Sequence, residues 1–140
     1  MNRKGFTLVE IMIVVAIIAL LAAIAIPNLL QARVTANDAA ARANLRTLST
    51  AAETYASANN GAYPDTVEDK LEKFAASAGQ FCADAVGGTT NFQGYTYACT
   101  LGTGGYTITA NPVTVGSTGS RALSITTGGV LTDNAAEKVE

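Results

Sequence analysis

The sequence predicts an α+β fold in which one long N-terminal helix, apolar in its first half and amphipathic in its second, packs on a four-stranded antiparallel sheet. Three observations predict it. Residues 11–26 (IMIVVAIIALLAAIAI) contain no polar side chain. Residues 28–58 place apolar side chains at three- and four-residue intervals, the period of an α-helix. Residues 94–101 (GYTYACTL) and 105–111 (GYTITAN) alternate strictly, the period of a strand with one packed face.

The apolar stretch from Phe6 to Ile26 is about 31 Å long as a helix at 1.5 Å per residue, and a bilayer's hydrocarbon core is about 30 Å thick. Arg3 and Lys4 precede it, so the positive-inside tendency holds the N-terminus in the cytoplasm and sends everything after Pro27 across the membrane. Three readings stand side by side. A secretory signal peptide would use Ala23-Ile24-Ala25 as its small-x-small cleavage site, but its apolar region is ordinarily shorter and carries no carboxylate. A plain transmembrane anchor leaves Glu10, the one ionisable residue of the span, unexplained. A retained anchor with a short leader is the third reading.

Pro27 removes a backbone donor and crowds the carbonyl of Ala23, which predicts either a kink or a membrane exit point. Beyond it Leu30, Val34, Ala41, Leu45, Leu48, Ala52 and Tyr55 form one narrow apolar stripe, and Asp38 and Arg42 stand in favourable i, i+4 order. Arg33 and Arg46 read as solvated charge. Asn59-Asn60-Gly61 ends the helix, since asparagine and glycine tolerate the left-handed backbone of a C-cap.

Residues 65–78 read as a short helix stopping at Gly79, and the remainder as sheet. Tyr95, Tyr97, Cys99 and Leu101 share one face, as do Tyr106, Ile108 and Ala110, while Thr96, Thr100, Thr107 and Thr109 lie opposite. Residues 102–105 make a turn, residues 112–120 a longer connection, and Gly128-Gly129 a two-residue hairpin between strands at 123–127 and 130–132. The tyrosines read as core, with a ligand platform and an aromatic path as alternatives. Asp133, Asn134 and Glu137 read as solvated charge, with a calcium site as the alternative.

Composition excludes whole classes of chemistry. There is no histidine, so Ser-His-Asp triads, Cys-His dyads and His-ligated metals are excluded, and no enzyme, cofactor or metal is expected. The net charge is −2, and loss of Arg3 and Lys4 with a leader would leave 7 basic against 11 acidic residues, so nothing predicts a grip on nucleic acid. Cys82 and Cys99 are too far apart for a CxxC site; an even number of cysteines beyond a membrane span predicts a disulfide, two free thiols being the alternative.

Gly5-Phe6-Thr7-Leu8-Val9-Glu10, after a short basic leader and before an unbroken apolar helix, resembles the type III signal of type IV pilins and pseudopilins. Gly61-Ala62-Tyr63-Pro64 resembles the Gly-x-Tyr-Pro turn that follows the long helix in that family. The resemblance implies a pilin-like organisation: leader 1–5, transmembrane and polymerisation helix 6–27, amphipathic helix 28–60 and globular head 61–140. It implies that a prepilin peptidase cuts between Gly5 and Phe6 and N-methylates Phe6, and that Glu10 pairs with the Phe6 amine of an adjacent subunit during assembly. It implies partners too: further copies of the chain, the peptidase, and an inner-membrane assembly platform with a cytoplasmic ATPase, the chain having no GxxxxGK[ST] loop of its own. The expected place is the inner membrane first and an extracellular surface filament afterwards. The head favours a pilin over the rival reading, a pseudopilin of a type II secretion or DNA-uptake system. A membrane-tethered or secreted binding module that never polymerises is the alternative from another class.

Overall fold

The computed structural model describes residues 5–66, 71, 81–82 and 90–134. The chain divides into two compact units, Met1–Arg33 and Val34–Glu140. One helix, α1 (Leu8–Ala58), contributes to both, and five strands follow it: β1 (Thr90–Phe92), β2 (Tyr95–Gly102), β3 (Gly105–Pro112), β4 (Ala122–Thr126) and β5 (Val130–Asn134). The architecture is the expected long helix with an antiparallel sheet, the strands lying in the order β1-β2-β3-β4-β5.

In the first unit α1 runs through Pro27 without interruption of the helix. The proline has no N–H to give the carbonyl four residues back. Beside it Asn28 Nδ2 donates to the Ile24 carbonyl at 3.0 Å, so a side chain reinforces the backbone where the proline weakens it.

In the second unit Val34, Ala41, Leu45, Leu48, Ala51, Ala52 and Ala56 bury one face of α1. The stripe is wider than the sequence pattern predicts. Four of its seven members are alanines, which let the helix approach the sheet closely. The opposing face supplies Tyr95, Tyr97, Tyr106, Ile108, Leu123 and Ile125, all almost wholly buried. Antiparallel pairing explains this: Tyr97 faces Ala110 and Ile108 faces both Cys99 and Ile125, so inward residues stack in rows across three strands. Tyr95, Tyr97 and Tyr106 are therefore core residues. The helix ends as expected, with Asn60 at φ 55° and Gly61 at φ 86°, and the Gly61 N–H donates to the Ala56 carbonyl at 2.8 Å, the six-to-one bond of a Schellman cap.

The sheet departs from expectation in two places. A fifth strand, β1, pairs with β2 through Phe92 opposite Tyr95, and the two residues between them, Gln93 (φ 50°) and Gly94 (φ 77°), are both left-handed, as a type I′ hairpin requires. Only three residues long and with one large apolar side chain, β1 offers no periodicity to read; the Gln-Gly dipeptide was its one legible sign. The β4–β5 loop has three residues, Thr127, Gly128 and Gly129, because Thr126 pairs with Val130. The short helix expected over residues 65–78 lies, apart from residues 65, 66 and 71, outside the described residues.

Candidate functional site

The chemistry-bearing residues fall into an N-terminal group on the first unit and a set of clamps within the second. At the N-terminus residues 5–7 are not helical, Phe6 is 86% exposed, and among the described residues no atom beyond its chain neighbours lies within 4 Å of where a Gly5 side chain would begin. The Gly5–Phe6 bond thus lies outside the helix, on open backbone.

The helix starts on a capping box. The Thr7 N–H donates to Glu10 Oε2 at 2.8 Å, the Thr7 hydroxyl donates to the same oxygen at 2.7 Å, and the Glu10 N–H donates back to Thr7 Oγ1 at 3.3 Å. Helices leave their first N–H groups without internal partners, and this reciprocal pair satisfies two of them. The role of Thr7 escaped the sequence reading although Thr-x-x-Glu ahead of an apolar run is its signature. Within the chain Glu10 forms no hydrogen bond with Phe6 among the described residues.

From Phe6 to Leu30 every large apolar side chain is at least 44% exposed. The helix contains an 18-residue window of mean hydropathy 3.0, none of it buried, and is long and apolar enough to cross a membrane.

In the second unit Cys82 and Cys99 form a disulfide with their Cα atoms 5.5 Å apart. Cys82 is buried, and the neighbouring Phe81 ring packs on Phe92 at 5.2 Å and on Tyr97 at 5.0 Å. This cross-link ties residues 81–82 to β2 beside the aromatic core.

Two carboxylates on α1 clamp the sheet. Asp38 accepts from the Tyr95 hydroxyl at 2.6 Å, the Ser120 N–H at 3.0 Å and the Ser120 hydroxyl, while Asn37 holds the Thr118 carbonyl at 2.8 Å. Glu53 accepts from the Tyr63 and Tyr106 hydroxyls at 3.0 Å each and from the Gly128 N–H at 2.8 Å. Burial alone would raise the Asp38 carboxyl, but the bonds from Ser120 and Tyr95, with the Arg121 charge, outweigh it and hold it below its ordinary range. Glu53 is lowered likewise, its burial outweighed by Gly128, Tyr63 and Tyr106. Burial, together with the bond to Asp38 and the Asp38 charge, pushes the Tyr95 hydroxyl far upward, so it stays a donor.

This corrects the i, i+4 pair of the sequence reading. Asp38 is spent on Tyr95 and Ser120, and Arg42 instead bonds Asp133 of β5 at 2.9 Å, with Arg121 3.5 Å from the same oxygen. Asp133, one member of the calcium alternative, is thereby engaged by two arginines; Glu137 lies outside the described residues. No group of three metal-binding side chains occurs among the described residues.

Comparison with known proteins agrees with this layout. Residues 1–26 match the family model of the prokaryotic N-terminal methylation motif. The chain is 54% identical over 59 residues, 42% of its own length and 45% of the relative's, to the type IV wide pilus major component PilA4 of Thermus thermophilus. It is 50% identical over 54 residues, 39% of its length and 24% of the relative's, to the type IV major pilin protein PilA of Myxococcus xanthus. The matched segments span less than half of either relative. The methylation motif, these two relatives and a long N-terminal helix followed by an antiparallel sheet make the chain similar to type IV pilins.

Proposed function

We propose that the chain is the major structural subunit of a type IV pilus, made as a prepilin, cut after Gly5, N-methylated at Phe6 and polymerised through residues 6–27. The observation that carries this reading is the bare apolar helix behind a methylation motif. Sixteen large apolar side chains between Phe6 and Leu30 have no partner among the described residues. Even at about 1 kcal/mol apiece, their exposure to water would cost about 16 kcal/mol, more than the roughly 5–15 kcal/mol net stability of a small domain. The segment therefore needs lipid before assembly and other copies of itself afterwards.

In this reading the subunit waits in the inner membrane with its N-terminus cytoplasmic and its head outside, residues 28–60 and 61–140 forming the head. An assembly platform driven by a cytoplasmic ATPase lifts it into a surface filament, where helix loosening at Pro27 accommodates packing. Glu10 pairs with the Phe6 amine of a neighbouring subunit, since methylation leaves that amine charged and a carboxylate buried among apolar helices needs a cation.

Mass spectrometry of sheared surface filaments tests this. The expected result is this chain as the dominant protein, starting at N-methylated Phe6. A chain starting at Ile26, an intact Met1, or absence from the filaments would each overturn it.

A further inference from the structure

We infer that Thr7 is a positioning residue for assembly: it holds Glu10 so that one carboxylate oxygen caps its own helix while the other is presented to the neighbouring subunit. The inference rests on the pairing role proposed above for Glu10 and adds to it a second residue and a division of labour between two oxygens.

The geometry is asymmetric. Both bonds from Thr7 end on Oε2, at 2.8 and 2.7 Å, whereas Oε1 accepts none among the described residues. An ionised carboxylate has about four lone-pair sites, so the capped oxygen leaves a full acceptor on its twin. Two bonds from one residue, returned by the Glu10 N–H to Thr7 Oγ1, fix the side chain far more narrowly than a free glutamate with its several rotatable bonds. A fixed acceptor binds a partner cation without a further loss of rotamer freedom, which is the benefit of preorganisation.

The cap also survives processing. Cleavage of the Gly5–Phe6 peptide bond turns the Phe6 nitrogen into an amine but leaves the Phe6–Thr7 amide intact, so the Thr7 N–H that Glu10 accepts is the same group before and after the leader is lost. Donor and acceptor for the intersubunit pair thus come from residues flanking one cap: Phe6 just outside it supplies the cation, and Glu10 inside it supplies Oε1. Threonine suits the position because its hydroxyl donates and accepts at once.

The substitutions separate this role from the pairing itself. Thr7→Val keeps the branched shape and removes the hydroxyl, Thr7→Ser restores it, and Glu10→Gln keeps a capping oxygen while removing the charge, glutamine being an accepted partner in such boxes. Full-length variants are compared by filament yield relative to the processed pool, with cleavage after Gly5 verified by N-terminal mass spectrometry. Thr7→Val is expected to lower the yield about fivefold, the factor to which a typical lost cap corresponds. Thr7→Ser is expected to assemble like the parent chain. In the Glu10→Gln background, where assembly is already poor, Thr7→Val should add nothing, because Thr7 acts through the carboxylate. Parental yield from Thr7→Val with poor yield from Glu10→Gln would overturn the positioning role and leave the pairing standing. Parental yield from Glu10→Gln would overturn the pairing, and the positioning role with it. A Thr7→Val defect that Thr7→Ser fails to repair would also overturn the positioning role.

Discussion

The two parts of α1 share a secondary structure and reverse the usual relation between hydrophobicity and burial. From Leu8 to Leu30 the helix is rich in isoleucine, leucine and valine, and these side chains are exposed; from Val34 to Ala56 the buried residues are four alanines, two leucines, a valine and a serine. The more apolar part is the uncovered one. Burial follows from what packs against each residue, and within the second unit the tyrosine-bearing face of the sheet covers the alanine-rich part. The first part suits surroundings other than water, and the second a partner within the same chain.

Substitution of matched leucine and isoleucine positions breaks or sharpens this contrast most strongly. Leu45 is fully buried, so Leu45→Ala should destabilise the head by about 2–5 kcal/mol, while Ile17→Ala, in the uncovered part, should leave head stability within about 0.5 kcal/mol. The chain has no tryptophan and all five tyrosines lie in the second unit, so thermal unfolding followed by the tyrosine band of the near-ultraviolet circular dichroism in detergent reports on that unit. Equal shifts from the two substitutions would show that the parts are not energetically separate.

A smaller effect is expected where the clamp meets the core. A Cβ on Gly119 would lie 2.5 Å from the Tyr95 ring, so Gly119→Ala should cost about 1–3 kcal/mol by overpacking and should shift the same unfolding signal. Parental stability would mean that the connection after β3 yields without disturbing Tyr95.

The smallest effect concerns acid. Asp38 and Glu53 both have folded pKa values below their ordinary 3.8 and 4.5, so the stability they contribute is present above those values and is lost as pH falls through the lowered ones. Head stability should therefore decline on the acid side of about pH 4, and Asp38→Asn with Glu53→Gln should flatten that limb. An unchanged acid limb in the double variant would place the acid sensitivity elsewhere.

Much of the fold was legible because it is written in short periods. The apolar run, the helical stripe, the Asn60-Gly61 cap and the threonine–tyrosine alternation each need only a few neighbouring residues to read, and each corresponds to an observed element. The cysteine pair was legible as well, from its number and place beyond the apolar span. At the N-terminus Glu10 stood out as a lone charge. Its bond to Thr7 is equally local, Thr-x-x-Glu ahead of an apolar run being the signature of a capping box.

The partners of Asp38, Arg42 and Glu53 were beyond any such reading. Asp38 meets Ser120 across 82 residues, Arg42 meets Asp133 across 91, and Glu53 meets Gly128 across 75. Local spacing offered Asp38 and Arg42 to each other, a contact on an exposed helix face worth only a few tenths of a kcal/mol. The fold overrode it once strand register brought Tyr95, Ser120 and Asp133 to the helix, where several hydrogen bonds to Asp38 and a direct ion pair for Arg42 replace the single local contact. Local periodicity thus dictated the long helix, the strands other than β1, and which stretch must leave water. Which charge answers which donor was decided only when the sheet closed on α1, because that choice depends on register between distant segments, and no window of neighbouring residues contains it.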